Sequence, residues 1–215
     1  LVFLVGGESI DASLWQEMLE YESAHFYNVY GPTETTVDAT ACRVELTKAT
    51  IGTPLNNAEA YVLDQNLNVL PVGIPGELFI GGAGLARGYL GRPDLTAERF
   101  IPHPYSRLKG ERLYRTGDLV RRDVDGKLEY VGRADDQVKI RGFRIELGEI
   151  EVALGKHAAV RECVLMARED FHGDKRLVAY VVAEDSTQSQ MELQVKEWRE
   201  HLRETLPEYM VPAAF

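Results

Sequence analysis

The chain has 215 residues, 45% of them hydrophobic and 27% charged, with a formal net charge of −10. Such a chain can bury a sizeable core, and its acidic balance argues against a dedicated nucleic-acid or anionic-membrane binder, both of which need a basic footprint. One bound nucleotide stays compatible with it, since that needs only a local site. Cys42 and Cys163 lie far apart with no metal-ligand spacing around them, as expected of reduced, buried thiols in a cytoplasmic protein. No apolar run reaches the ~18 residues of a membrane span, and no signal peptide is visible. The sequence opens without Met, inside the apolar run Leu1–Val5, as expected of a piece cut from a longer chain.

Leu1 to Val5 ends in Gly6-Gly7 and suits a strand buried on both faces, as in a parallel sheet. Residues 12–22, with Ala12, Trp15 and Leu19 spaced among charges, suit an amphipathic helix. A second short strand around Phe26 to Val29 leads into Gly31-Pro32. From about Ile51 to Gly132 the character changes. Short β-prone runs such as Ala60–Leu63 and Glu77–Ile80 alternate with Gly and Pro clusters, and Asp125-Gly126 between Leu119-Val120 and Leu128–Val131 is a hairpin signal.

From about Asp136 a third pattern begins. Val138–Ile140 is strand-like and Glu149–Leu154 is a short helix. Val160–Met166 and Leu177–Val182 are strands around a polar turn at His172-Gly173-Asp174. After the low-complexity loop Ser186–Gln190, the capping box Ser189–Glu192 opens a helix with Met191, Val195, Trp198 and Leu202 on one face. The fold class is therefore mixed α/β and α+β. A partial parallel α/β sheet comes first, then a small antiparallel β-barrel-like region, then a small α+β C-terminal domain. The boundary falls between residues 1–134 and 135–215.

Several segments carry chemistry. In Tyr27–Thr36 a strand end feeds a Gly-Pro turn followed by hydroxyls and a carboxylate. Thr hydroxyls and backbone N–H groups there suit a phosphate, Glu34 suits Mg²⁺, and Tyr30 suits an adenine face. A Thr-rich turn with a helix cap would read the same way. Gly81-Gly82-Ala83-Gly84 invites a phosphate-loop reading, but it lacks the third spaced glycine of GxGxxG and any GxxxxGK[ST], which favours a structural glycine turn. Arg141 and Arg144 are open to reading as a solvated basic strip. The five His residues form no cluster, and Trp15 and Trp198 read as core.

The run Asn28–Glu34 resembles a signature of the adenylate-forming enzymes, the superfamily of peptide synthetase adenylation domains, acyl-CoA synthetases and luciferases. Further segments resemble its other motifs in order: Gly76–Leu90, Tyr114–Leu119, Gly132–Glu151 and Leu206–Pro212. The wording of the last two favours the adenylation domain of nonribosomal peptide synthetases. Alternatives from the same resemblance are an acyl- or aryl-CoA ligase and a degenerate, non-catalytic nucleotide-binding domain.

The resemblance implies ATP-dependent activation of an amino acid as aminoacyl-AMP, then transfer to a 4′-phosphopantetheine thiol on a peptidyl carrier domain. A condensation domain in the same synthetase would be a further partner. Neither nucleic acid nor membrane is implied. Asn28 and Tyr30 would contact adenine, with Gly7, Glu8 and Gly31 lining that pocket. Thr33 would bind the α-phosphate and Glu34 the Mg²⁺. Asp118 would hold both ribose hydroxyls, with Tyr130 and Arg133 flanking ribose and phosphate, and Lys139 joining the nucleotide set. Thr33, Glu34 and Arg133 form the expected catalytic group. Leu4, Gly6, Val29, Val37 and Asp38 would belong to the substrate pocket, a half-set that resembles pockets for glutamine or glutamate. Asp135 would be the hinge of a rotating C-terminal subdomain, whose loop with Arg141 and Arg144 would then face the active site.

The family's catalytic lysine is expected shortly after Leu206–Pro212, and its glycine-rich phosphate loop before Leu1. The 215 residues alone are therefore expected not to form adenylate at a useful rate. ATP–pyrophosphate exchange by the bare chain would contradict this.

Overall fold

The computed structural model describes residues 1–45, 48–135, 137–140, 142–169, 175–184 and 191–215, excluding the side chain of Met191. The expected turn at His172–Asp174, the Ser189 capping box and Arg141 lie outside them. The chain divides into two compact units, Leu1–Asp135 and Asp136–Phe215. No helix among the described residues is long and apolar enough to cross a membrane.

The first unit opens with β1 (Val2–Val5), α1 (Ala12–Glu20) and β2 (His25–Tyr30). β1 and β2 pair in parallel, with Leu4 opposite Tyr27 and Val5 opposite Asn28. Asp11 caps α1 by accepting from the Leu14 N–H at 2.8 Å. Trp15 and Met18 then pack with Val44 against Val5 and Phe26. β3 (Thr40–Arg43) and β4 (Thr53–Pro54) extend the sheet antiparallel, giving the order β1-β2-β3-β4. In this chain Val2, Phe3 and Leu4 on β1 are exposed, while Val5 packs in the α1 cluster.

The second sheet comprises β5 (Ala58–Leu63), β6 (Gly76–Gly82), β7 (Phe100–Pro102), β8 (Arg112–Arg122) and β9 (Leu128–Arg133), with α2 (Pro93–Arg99) before β7. It is antiparallel throughout, ordered β5-β6-β8-β7, with β9 also on β8. The β8–β9 hairpin closes where the Asp123 N–H donates to Lys127 O at 2.8 Å, and Gly126 takes the left-handed φ of 83°. Leu78, Ile80, Val120 and Leu128 form a core that also takes in Tyr30 and Ile51. Tyr30, on the last position of β2, is thereby fixed against the second sheet.

The second unit starts with the β10–β11 hairpin (Gln137–Ile140, Phe143–Glu146), which runs into α3 (Leu147–Leu154). α3 begins two positions before the expected Glu149, because Leu147 joins the core. β12 (Val160–Glu169) and β13 (Lys175–Ala183) pair antiparallel. α4 (Met191–Thr205) lays Trp198 and Leu202 onto Ile145, Ile150, Leu154 and Leu165. Trp15 and Trp198 are both core residues, each 1% exposed. The two cysteines are free, as expected, and half-buried rather than buried. Each thiol donates to a carbonyl, Cys42 to Thr50 O at 3.2 Å and Cys163 to Glu151 O at 3.5 Å.

Each unit holds one tryptophan, so their unfolding can be followed separately. Leu202→Ala empties a fully buried position and is expected to destabilise the second unit by about 2–5 kcal/mol. Urea unfolding read by Trp198 fluorescence in a Trp15→Phe background checks this; an unchanged midpoint would contradict it.

Candidate functional site

The site is built in the first unit, at the carboxyl ends of the parallel pair, where open α/β sheets place their ligands. Because Val5 pairs with Asn28, the chain leaving β1 runs as Gly6-Gly7-Glu8 beside Val29 and Tyr30. Gly6 permits this approach: a Cβ there would stand 2.5 Å from Val29 O. Gly7 has φ 96° and open space beside it. Asn28 is buried and donates from Nδ2 to Thr50 O at 2.7 Å. Gly31 is required for the following turn, since its Cβ would meet Val37 O at 2.4 Å.

Thr33–Thr35 form one 3₁₀ turn, after which Thr36 and Val37 take left-handed φ values of 63° and 67°. This reversal points Glu34 inward and leaves Thr33, Val37 and Asp38 exposed. The loop after β6 holds the turn from outside. The Ala86 N–H donates to Glu34 O at 2.8 Å, and Thr36 Oγ1 donates to Gly84 O at 2.7 Å. A Cβ on Gly84 would come within 2.9 Å of Thr35 O, and one on Gly82 within 2.1 Å of Asn57 O. The glycine run therefore serves close backbone approach. Tyr89, from the same loop, donates its hydroxyl to Glu34 Oε1 at 2.6 Å.

The second cluster centres on Asp118. A register shift between β6 and β8 sets off Thr116–Asp118, and Asp118 pairs across β8–β9 with Arg133. Gly117 has φ 74°, and its Cβ would stand 2.7 Å from both Arg133 Nη2 and Asp135 Oδ2. Thr116 Oγ1 donates to Leu78 O at 2.7 Å and accepts from the Asp118 N–H at 2.9 Å. Glu77 accepts from the Gly117 N–H at 3.2 Å and from Arg115 Nε at 2.9 Å. The backbone of the bulge is therefore fixed from both sides.

Within this frame the Tyr30 hydroxyl donates to Asp118 Oδ2, and Arg133 Nη1 donates to Asp118 Oδ1 at 2.7 Å. Arg133 Nε and Nη2 donate to the two oxygens of Asp135 at 2.6 and 2.9 Å. Arg99 lies 3.8 Å from Asp135. The Arg133 and Asp118 side chains are only 11% and 6% exposed. Burial, and then the Asp118 charge, raise the Tyr30 phenol well above the usual tyrosine value and push Tyr130 up to about 12. Both phenols stay protonated at neutral pH.

The structure thus gathers Tyr30, Asp118, Arg133 and Asp135 into one hydrogen-bonded network, with Tyr130 in the field of Asp118. Glu34 is held by Tyr89, while Thr33, Val37 and Asp38 lie on the turn's exposed side. Leu4 is exposed on β1 and Val29 is half-buried on β2. Lys139 belongs to the second unit, where it pairs with Arg144 across the β10–β11 hairpin. Sequence reasoning missed Tyr89, Thr116 and Glu77 as supports of the site. All three sit inside quoted motifs, but no local pattern names their partners. Among the described residues no three His, Cys, Asp or Glu side chains gather into a metal cage.

A phenol whose folded pKa exceeds its unfolded value retains its proton in the folded state after the unfolded chain has lost it. Its stabilising effect is complete below pH ~10 and is lost as pH rises through the folded value. Stability is therefore expected to fall between pH ~10 and about 12, the value for Tyr130. Tyr30→Phe should shallow that fall. Urea midpoints measured across this range check it, and an identical slope in the variant would contradict it.

Comparison with known proteins gives this geometry a family. Residues 1–90 match the family model of the AMP-binding enzymes, and residues 149–215 match that of the AMP-binding enzyme C-terminal domain. One of the linear gramicidin synthase proteins of Brevibacillus parabrevis is 57% identical over 213 residues, covering 98% of this chain but 4% of that protein. NpsA-ThdA, an artificially fused adenylation–PCP di-domain from Klebsiella oxytoca, superposes with a TM-score of 0.82 at 33% identity, covering 100% of this chain and 39% of that one. The Vibrio cholerae adenylation domain AlmE, solved with glycyl-adenosine-5′-phosphate, gives 0.83 at 26% identity, covering 99% and 40%. The chain therefore spans a small part of the synthetases it matches and under half of the solved adenylation proteins. With both family models matched in order and a peptide synthetase at 57% identity, the chain belongs to the AMP-binding enzymes, on the side of the adenylation domains of nonribosomal peptide synthetases.

Proposed function

We propose that a longer synthetase carrying this chain uses ATP to activate an amino acid as aminoacyl-AMP and passes the acyl group to a carrier-domain phosphopantetheine thiol. The observation that carries this reading is the network of Tyr30, Asp118, Arg133 and Asp135 beside the carboxyl end of β2, in a chain of this family. Asp118 takes the ribose hydroxyls. Its two oxygens offer about four acceptor sites, so the bonds from Tyr30 and Arg133 leave capacity for a ligand. Asn28, Tyr30, Gly7, Glu8 and Gly31 line the adenine pocket, and buried Asn28 and Tyr30 at the carboxyl end of β2 support this. Thr33, exposed on the turn, meets the α-phosphate; Tyr130 and Arg133 flank ribose and phosphate.

The donor set suits Mg²⁺, which is usually held by one or two carboxylates together with substrate phosphates, and Glu34 is the inward carboxylate of the turn. When bound, the ion neutralises charge on the phosphoryl oxygens. In the first half-reaction an amino-acid carboxylate oxygen bonds to the α-phosphorus and pyrophosphate leaves. In the second, the carrier thiol attacks the acyl carbon and AMP leaves. Asp135 acts as the hinge between the subdomains 1–134 and 135–215, and Lys139 joins the nucleotide set from the second. Leu4, Gly6, Val29, Val37 and Asp38 contribute to the amino-acid pocket. Asp38 as the polar member among apolar neighbours supports glutamine or glutamate as substrate. A condensation domain follows as a partner from the synthetase setting, and the cytoplasm as the place of action.

ATP–pyrophosphate exchange by the synthetase, run over an amino-acid panel, tests this reading. Glutamine or glutamate is expected to give the highest rate. Asp118→Asn weakens hydrogen bonds to a charged acceptor worth about 1.5–3 kcal/mol, so kcat/KM for ATP should fall roughly 10- to 100-fold. Unchanged exchange in Asp118→Asn would contradict the nucleotide assignment; indifference to glutamine and glutamate would contradict the substrate.

A further inference from the structure

Tyr89 has no part in the chemistry described so far, yet its hydroxyl sits 2.6 Å from Glu34 Oε1. Several features hold it there. Its backbone N–H donates to Thr96 Oγ1 at 2.9 Å, and that hydroxyl donates to Arg92 O at 2.8 Å. Gly88, at φ 144°, lets the loop lie against Thr96, whose Cγ2 a Cβ would meet at 2.4 Å. The ring packs edge-on against buried Phe100 with centroids 5.7 Å apart. The hydroxyl of fully buried Tyr114 lies 3.4 Å from that of Tyr89. The phenol is thus carried by a loop anchored to α2 and aimed at a carboxylate on a different turn. Ring packing alone would place Tyr89 in the core; it does not account for the hydroxyl meeting Glu34.

We infer that Tyr89 is a positioning residue: its hydroxyl fixes the Glu34 carboxylate in the orientation that receives the divalent cation of the nucleotide. This rests on the reading that Glu34 holds Mg²⁺. A carboxylate offers about four acceptor sites, so a phenolic donor can set its plane while a cation shares the group. Hydrogen bonds that orient metal-binding carboxylates are worth about 10- to 100-fold in metal affinity or activity.

Tyr89→Phe removes the oxygen and keeps the ring, so the packing on Phe100 survives. In the synthetase carrying this chain, two quantities are measured. One is calorimetric binding of a non-hydrolysable ATP analogue with Mg²⁺ and with EDTA. The other is the Mg²⁺ concentration that half-saturates pyrophosphate exchange. Tyr89→Phe should raise that half-saturation about tenfold, shrink the Mg²⁺-dependent gain in analogue affinity, and leave the KM for the amino acid as in the parent. If Tyr89 works through Glu34, the double variant Tyr89→Phe/Glu34→Gln loses no more than Glu34→Gln alone. Wild-type Mg²⁺ dependence in Tyr89→Phe, with loss in Glu34→Gln, overturns the inference and spares the Glu34 assignment. Wild-type dependence in both overturns the assignment itself. Additive losses in the double variant assign Tyr89 a separate structural role and overturn the inference.

Discussion

The buried pairing of Asp118 with Arg133 organises the first unit's site. Each charge is held by more than one partner, Arg133 by Asp118 and Asp135 and Asp118 by Arg133 and Tyr30, so the four groups fix one another's places. The pair closes the β8–β9 register at its open end, where Asp118 faces Arg133. It then recruits Tyr30 from the other sheet and Asp135 from the end of the same unit. A parallel α/β strand end and an antiparallel sheet are thereby joined through one carboxylate. The apolar core of Tyr30, Ile51, Leu78, Val120 and Leu128 lies around the same junction, so packing and electrostatics specify the same arrangement.

The turn bearing Glu34 follows a different logic. It is held by backbone contacts that only glycine allows, at Gly31 and Gly84, and by the hydroxyls of Thr36 and Tyr89. The turn buries Glu34 and Thr35 while its flanks stay exposed. That suits a site in which a carboxylate and a hydroxyl meet a polyanionic ligand in fixed geometry, since prearranged groups need no reorganisation when charge develops.

Much of this was legible in the sequence. The parallel start, the hairpin at Asp125-Gly126 and the apolar face of α4 follow from short-range periodicity and turn chemistry, and the structure shows each of them. Asp118, Arg133 and Glu34 were named by resemblance to the family's motifs, met in the same order along the chain. What the sequence hid is long-range. The Tyr89–Glu34 bond spans 55 positions, and the Tyr30–Asp118 bond 88, so no local window contains either. Glu77 reads as a strand residue until the register shift brings it to Gly117.

Whether Thr33, Glu34, Asp118 and Arg133 serve one nucleotide is decided by a crystal structure of the synthetase's adenylation domain with an aminoacyl-adenylate analogue. The expected result places the ribose hydroxyls within hydrogen-bonding distance of Asp118 and the phosphate beside the Thr33–Glu34 turn, with Arg133 still on Asp118. An analogue bound clear of these side chains would contradict a shared site.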